Sequence, residues 1–357
     1  MTMRVSRPSL PPLDDYRALL ESTWDGGWLS NFGPHAQRFE QACADYTALA
    51  HVRAAANCDL ALTLGIRALG LGRGDRVVVP SFTFPTTLHA LLWNGLEPVF
   101  ADVDRATWCL TAESAAAVVD GARAIVGTHS FMSISDVAGL ERLAARCEAV
   151  LLFDAAQAFA TWVGERHVGA FGDLSVFSFS PTKIATCGEG GLAAFRAPAA
   201  AERFAAVRTY GDDHHVGLNA RMSEPHAALG RLAVERVEEE VTARLDLVTR
   251  YRARLADLPE VRLQETPPGV RATPTLFVAD FGERRAKVEA TLGAEGIETL
   301  RYFRPLHEMP AFGHLPAAPL RETERLGAGV LALPLHRVLD VADVDHVCDL
   351  VERAVRR

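Results

Sequence analysis

Short unbroken apolar runs, separated by helix-length segments, constrain this chain more than any other feature. Runs at 52–56, 76–79, 98–101, 122–127, 149–153 and 176–179 read as strands. Between them, 58–69, 86–93 and 137–147 carry helical periodicity, and GLGRGD after the first of these makes a turn. Continuous apolar strands are buried on both faces. Their alternation with helices implies a mostly parallel sheet flanked by helices, an α/β architecture. Two further helices, 14–22 and 35–49, are expected ahead of it.

Polar residues gather just beyond the strands: Asn57 and Asp59, Ser81 and Thr83, Thr128 and His129, Asp154 and Gln157, Ser178 and Lys183. Open parallel sheets bind ligands at the carboxyl ends of their strands, so these separated segments aim at one edge. That edge is a site.

The pattern changes after Phe195. A helix at 198–209 leads to a polar loop, RTYGDDHHVGLNARMSE, and then to one long helical run, 225–255, with a charged face. The domain boundary is expected in that run. Residues 1–240 then form a large domain with the N-terminal segment. Residues 241–357 form a smaller α+β domain, with strands at 275–281 and 297–300 and helices at 285–295 and 341–355.

A formal net charge of -8 without a basic block argues against nucleic acid as a partner. No apolar run is long enough to span a membrane. The six cysteines are scattered with no CxxC pair, which speaks against zinc and for a reducing cytoplasm. His214 and His215 lack companions at ligand spacing, so no metal is expected.

Lys183 and Lys287 are the only two lysines, in a chain that uses arginine freely. Arginine cannot form an imine; a deprotonated lysine can. Taken singly, Asp154 also reads as a helix N-cap, and Lys183 as a solvated loop residue. Together they fit a cofactor with an aldehyde and a pyridine ring, which needs an amine to hold it and an acid to keep the ring nitrogen protonated. The Asn57-Cys58-Asp59 turn and Ser178 can supply a phosphate cup, and Phe82 or Phe84 an aromatic face.

The ordered stretches FGPHAQRFEQACADY, RGDRVVVPSFTFPTT, FDAAQAF, VFSFSPTK, GEGG, GLNARMSEPHAALG and RPLH resemble the DegT-type sugar aminotransferases, along nearly the whole chain. The resemblance implies the fold type I class of pyridoxal 5'-phosphate (PLP) enzymes. It further implies a cytoplasmic homodimer whose sites are completed across the interface, with glutamate as amino donor and a keto sugar, nucleotide-linked, as acceptor. Lys183 looks like the Schiff-base lysine and proton carrier, with pyridoxamine phosphate arising between the two half-reactions. Asp154 matches the partner of the pyridinium nitrogen, Gln157 the neighbour of the ring hydroxyl, Ser178 a phosphate ligand and Phe84 the stacking aromatic. Asn219 matches an asparagine that reaches the neighbouring subunit's phosphate. Tyr302 and His307 lie where the small domain approaches the sugar. A keto-cyclitol or free sugar remains an open alternative acceptor, and a non-catalytic PLP-binding regulator an open alternative role. A sugar dehydratase is disfavoured, because dehydrating relatives carry histidine in place of the lysine.

The chain departs from the family at Cys58 and Asp59, where Gly or Ala and then Thr are usual. A carboxylate repels phosphate. The expectation is that Asp59 caps a helix beginning near Leu60, while the N–H groups of Asp59 and Leu60 hold the phosphate.

Overall fold

A computed structural model describes residues 2–356. Seven strands form the main sheet in the order Val52–Ala55, Gly191–Phe195, Leu174–Ser178, Val150–Asp154, Ala124–Thr128, Arg76–Pro80, Glu97–Ala101. Gly191–Phe195 runs antiparallel to both neighbours, and the remaining ladders are parallel. The expected α/β sheet is present.

Alternation along the strands explains the layers. Val78, Ile125, Leu151, Phe153 and Phe177 enter one apolar layer with the helices Pro34–Thr47 and Val137–Cys147. Val77, Val79, Val126, Leu152 and Val176 enter the other, with the helices Cys58–Ala68, Pro85–Trp93 and Pro198–Val207. Each fully buried side chain of this size is worth about 1.5–3 kcal/mol. Register matters more than that sum. A one-residue slip would swing Asp154 into the layer of Phe153, where an unpaired carboxylate costs more than an apolar contact returns.

The long helical run is two helices, Glu224–Glu235 and Val237–Leu255, broken where Arg236 leaves helical geometry at φ -114 and ψ 8. The second helix packs Val237 and Val241 into the first core layer and Leu247, Val248, Tyr251 and Leu255 into the C-terminal core. That C-terminal core also holds a three-stranded antiparallel sheet, Arg262–Leu263, Phe277–Asp280 and Val330–Leu333, and the helices Arg285–Ala294 and Val341–Arg356.

Three local expectations change. Residues 297–300 make no strand, only isolated bridges from Ile297 to Met3 and from Leu300 to Ala332. The polar loop contains a hairpin, Thr209–Gly211 with Val216–Asn219. Trp162–Val163 pairs with Arg166–His167 and with Val270–Arg271 from beyond residue 240. These pieces are too short for periodicity to reveal.

Candidate active site

The strand Val150–Asp154 ends by pushing Asp154 out of the core at the sheet's carboxyl edge. Both carboxylate oxygens are occupied from within the chain. Thr87 Oγ1 donates to Oδ2 at 2.6 Å and the Ala156 N–H to Oδ1 at 3.1 Å. Burial raises the Asp154 pKa, opposed by these two donors and by the positive charge of Lys183. Lys183 sits in the turn after Leu174–Ser178, where its own N–H donates to Ser180 O at 3.1 Å. Burial lowers its pKa toward the neutral amine, against the pull of Cys58 and Asp154. Burial thus shifts both groups toward their neutral forms, and the donors on Asp154 oppose that shift.

Asp154 and Lys183 share one cavity of about 550 Å³ with Asn57, Cys58, Asp59, Phe84, Gln157, Ser178 and Tyr302. Gln157 Oε1 accepts from the Phe131 N–H at 2.6 Å, which leaves its amide NH2 as the free donor. Ser178 Oγ accepts from the Ser180 N–H at 3.3 Å and keeps its own O–H to donate. Phe84, half-exposed at the start of the helix Pro85–Trp93, has its ring 6.5 Å from that of Phe303, another wall of the cavity.

The start of the helix Cys58–Ala68 corrects the expected cap. Asn57, not Asp59, caps the helix Cys58–Ala68: its backbone is extended and its Oδ1 accepts from the Leu60 N–H at 2.9 Å. Leu60 is thereby removed as a donor, and its side chain lines an adjoining cavity of about 530 Å³. The first two N–H groups, of Cys58 and Asp59, are left without acceptors inside the helix. Asp59 itself lies exposed in the first turn, where the helix dipole favours its charge. Gly191 fixes this corner. A Cβ there would stand 2.3 Å from Asn57 O and 2.7 Å from Cys58 N, so only glycine lets the strand approach the helix start.

Two anticipated residues lie outside the lining of this chain's cavity. His307 Nδ1 pairs with Ser81 Oγ at 2.8 Å, and His307 is absent from the cavity lining. Asn219 is exposed on its hairpin, likewise outside the lining. The sequence reading missed Thr87, Phe303 and Thr275. Thr275 lines the cavity and donates to Gln157 O at 2.8 Å. Only Thr87 carried a signal, being a hydroxyl on the helix after SFTF.

Residues 14–352 match the DegT/DnrJ/EryC1/StrS aminotransferase family. The chain belongs to this family. GDP-perosamine synthase of Caulobacter vibrioides is 34% identical over 348 residues, 93% of each chain. The structure of DesI, determined in the presence of its TDP-sugar product, aligns at a TM-score of 0.94 and 34% identity, covering 99% of this chain and 93% of that one. The aminotransferase TlmJ from Streptoalloteichus hindustanus aligns at 0.93 and 29% identity over 100% and 99%. DegT-family aminotransferases depend on PLP. The donor set here fits that group: an amine, a carboxylate for a pyridinium, an amide NH2 for a ring hydroxyl, and a hydroxyl with two N–H groups for a phosphate.

Proposed function

We propose that this DegT-family aminotransferase moves the amino group of glutamate to the ketone of a nucleotide-linked sugar, giving 2-oxoglutarate and an amino sugar. The observation that carries the reading is Lys183 beside Asp154, at neighbouring strand ends of one cavity. The sugar acceptor is supported by the likeness, over nearly the full chain, to GDP-perosamine synthase and to DesI.

Bound PLP supplies an aldehyde carbon for the substrate's nitrogen and an electron-accepting ring. In this reading Lys183 would be the base that takes the proton from the donor's α-carbon. It delivers a proton to the sugar carbon in the reverse sense. Asp154, its oxygens fixed by Thr87 and Ala156, presents a set negative charge to the ring nitrogen. Gln157 donates to the ring hydroxyl. Ser178 and the N–H groups of Cys58 and Asp59 would hold the phosphate, and Phe84 would cover the ring.

A homodimer in the cytoplasm is part of the same proposal. Tyr210 is 62%, Val216 81% and Leu218 49% exposed on the hairpin of Asn219, a stretch of apolar surface that a second copy would cover. All six cysteines are unpaired. The deciding measurement offers keto-sugar nucleotides, free keto sugars and keto-cyclitols with 15N-glutamate and follows the label by mass. Label in a sugar nucleotide is the expected result. Label only in a cyclitol or free sugar overturns the acceptor, and no transfer with any donor overturns the enzyme reading.

A further inference from the structure

An amide side chain can face a ligand with either end, and something else must decide which. In Gln157 the decision falls to the Phe131 N–H, which donates to Oε1 at 2.6 Å and leaves the NH2 for the cavity. Thr275 Oγ1 anchors only the Gln157 backbone carbonyl, at 2.8 Å. The direction of the Gln157 amide is thus only as fixed as the backbone at Phe131.

That backbone holds an unfavourable shape. Phe131 has φ 60, in the left-handed region that a bulky side chain seldom adopts. The residues on both sides of it are tied to one side chain, Gln264. This residue follows the strand Arg262–Leu263 of the C-terminal sheet and is 3% exposed. Gln264 Oε1 accepts from the Met132 N–H at 3.0 Å. Its Nε2 donates to Ser130 O at 3.1 Å and to Thr107 O at 2.8 Å. One N–H and two carbonyls as partners admit a single orientation of this amide. Thr107 precedes Trp108, itself left-handed at φ 59. The neighbours of Gln264 tighten the same join: the Glu265 N–H bonds Ala106 O at 2.9 Å, and Thr266 Oγ1 donates to Met132 O at 2.8 Å. Gln264 itself is not part of the catalytic cavity lining.

We propose that Gln264 is a positioning residue for the cofactor site. It clamps residues 130–132, keeps the Phe131 N–H on Gln157, and so keeps the Gln157 NH2 turned toward the ring hydroxyl. The inference rests on the reading of Gln157 as the donor to that hydroxyl. Without the clamp Phe131 relaxes from its left-handed shape, its N–H leaves Oε1, and the Gln157 amide is free to turn over. The ring oxygen then loses donation and keeps its charge for the adjacent nitrogen linked to Lys183, which holds its proton to higher pH.

The test is a double-mutant cycle on holoenzyme, with Gln264→Leu and Gln157→Ala singly and together. Two readouts report the ring contact apart from turnover: the pH at which the visible absorbance of bound PLP changes, and the PLP dissociation constant by equilibrium dialysis. Gln157→Ala should move the absorbance change up by about 0.5–1 pH unit and weaken PLP by about 3- to 10-fold, the worth of one hydrogen bond. Gln264→Leu should move both readouts the same way by a smaller amount, and the double variant should match Gln157→Ala. A lower melting temperature in Gln264→Leu with both readouts at wild-type values overturns the positioning role and leaves Gln157 its own. Shifts that add in the double variant also overturn it, because Gln264 then acts by a route other than Gln157. Wild-type values in Gln157→Ala overturn the ring-hydroxyl reading and the inference with it. Gln264→Glu keeps the shape and the acceptor for Met132 but loses the donors to Ser130 and Thr107. It stands in if Gln264→Leu does not fold, with the same shifts expected and wild-type values overturning the proposal.

Discussion

The proposed function gives the cavity a ring end and a phosphate end, and the two are built differently. At the ring end, every group is set by the chain itself: Asp154 by Thr87 and Ala156, Gln157 by Phe131, Thr275 behind Gln157. At the phosphate end, the helix start offers two N–H groups and one hydroxyl but also an exposed carboxylate, Asp59, while Asn219 lies exposed on a hairpin outside the cavity lining. The ring end needs charges placed to a fraction of an ångström, because its electrostatics act on the reaction. The phosphate end only anchors, so a contact there can come from a separate chain and a poor one can be tolerated.

If that contrast is right, substitutions at the ring end should hurt turnover most. Asp154→Asn should lower the rate by ~10²- to 10³-fold with the cofactor still bound, read as the rate of the glutamate half-reaction. The same variant has a pH signature. Burial raises the Asp154 pKa in the folded protein, so the folded state holds this proton more tightly than the unfolded state. Its contribution to stability is therefore complete below the ordinary carboxylate range and is lost as pH rises through the raised value. Melting temperature against pH, on cofactor-stripped protein, should show that loss in wild type and not in Asp154→Asn.

Thr87→Val comes next, at about 10-fold in the half-reaction, the worth of one hydrogen bond to a charged group. It should also raise the Asp154 pKa further and move the pH-dependent loss upward, because the Thr87 O–H lowers that pKa. A Thr87→Val enzyme with wild-type rate and wild-type pH profile would mean that the ring end is not preset as described.

The smallest effect is expected at the phosphate end. Asp59→Thr replaces a repelling carboxylate with a hydroxyl donor and should tighten PLP by roughly 5-fold, with little change in the half-reaction once loaded. Equilibrium dialysis reads the first and stopped-flow absorbance the second. Weaker binding in Asp59→Thr would show that the carboxylate supports the cup rather than burdening it.

Residues whose position follows from local spacing were legible in advance. Asp154 and Ser178 fall at strand ends because the apolar runs stop there, and Lys183 stands out in a chain of arginines. The helix cap was misread by two residues, from Asn57 to Asp59, because both are good capping types. What separates them is the extended backbone at Asn57 and the approach of Gly191, a contact over 130 residues away in sequence. The resemblance puts His307 where the small domain approaches the sugar, and only the structure shows it bonded to Ser81, outside the cavity lining.

By itself, then, the sequence determined the layered α/β sheet, the carboxyl edge as the site and the lysine–aspartate pair, because burial on both faces and a period of two leave a strand few other arrangements. The tertiary structure alone decided which atoms are spent and which are free. Thr87 on Asp154 and Phe131 on Gln157 are contacts between residues whose separation in the chain carries no pattern. Such contacts exist only once packing has brought the two segments together, and they determine which donors each site group has left to offer.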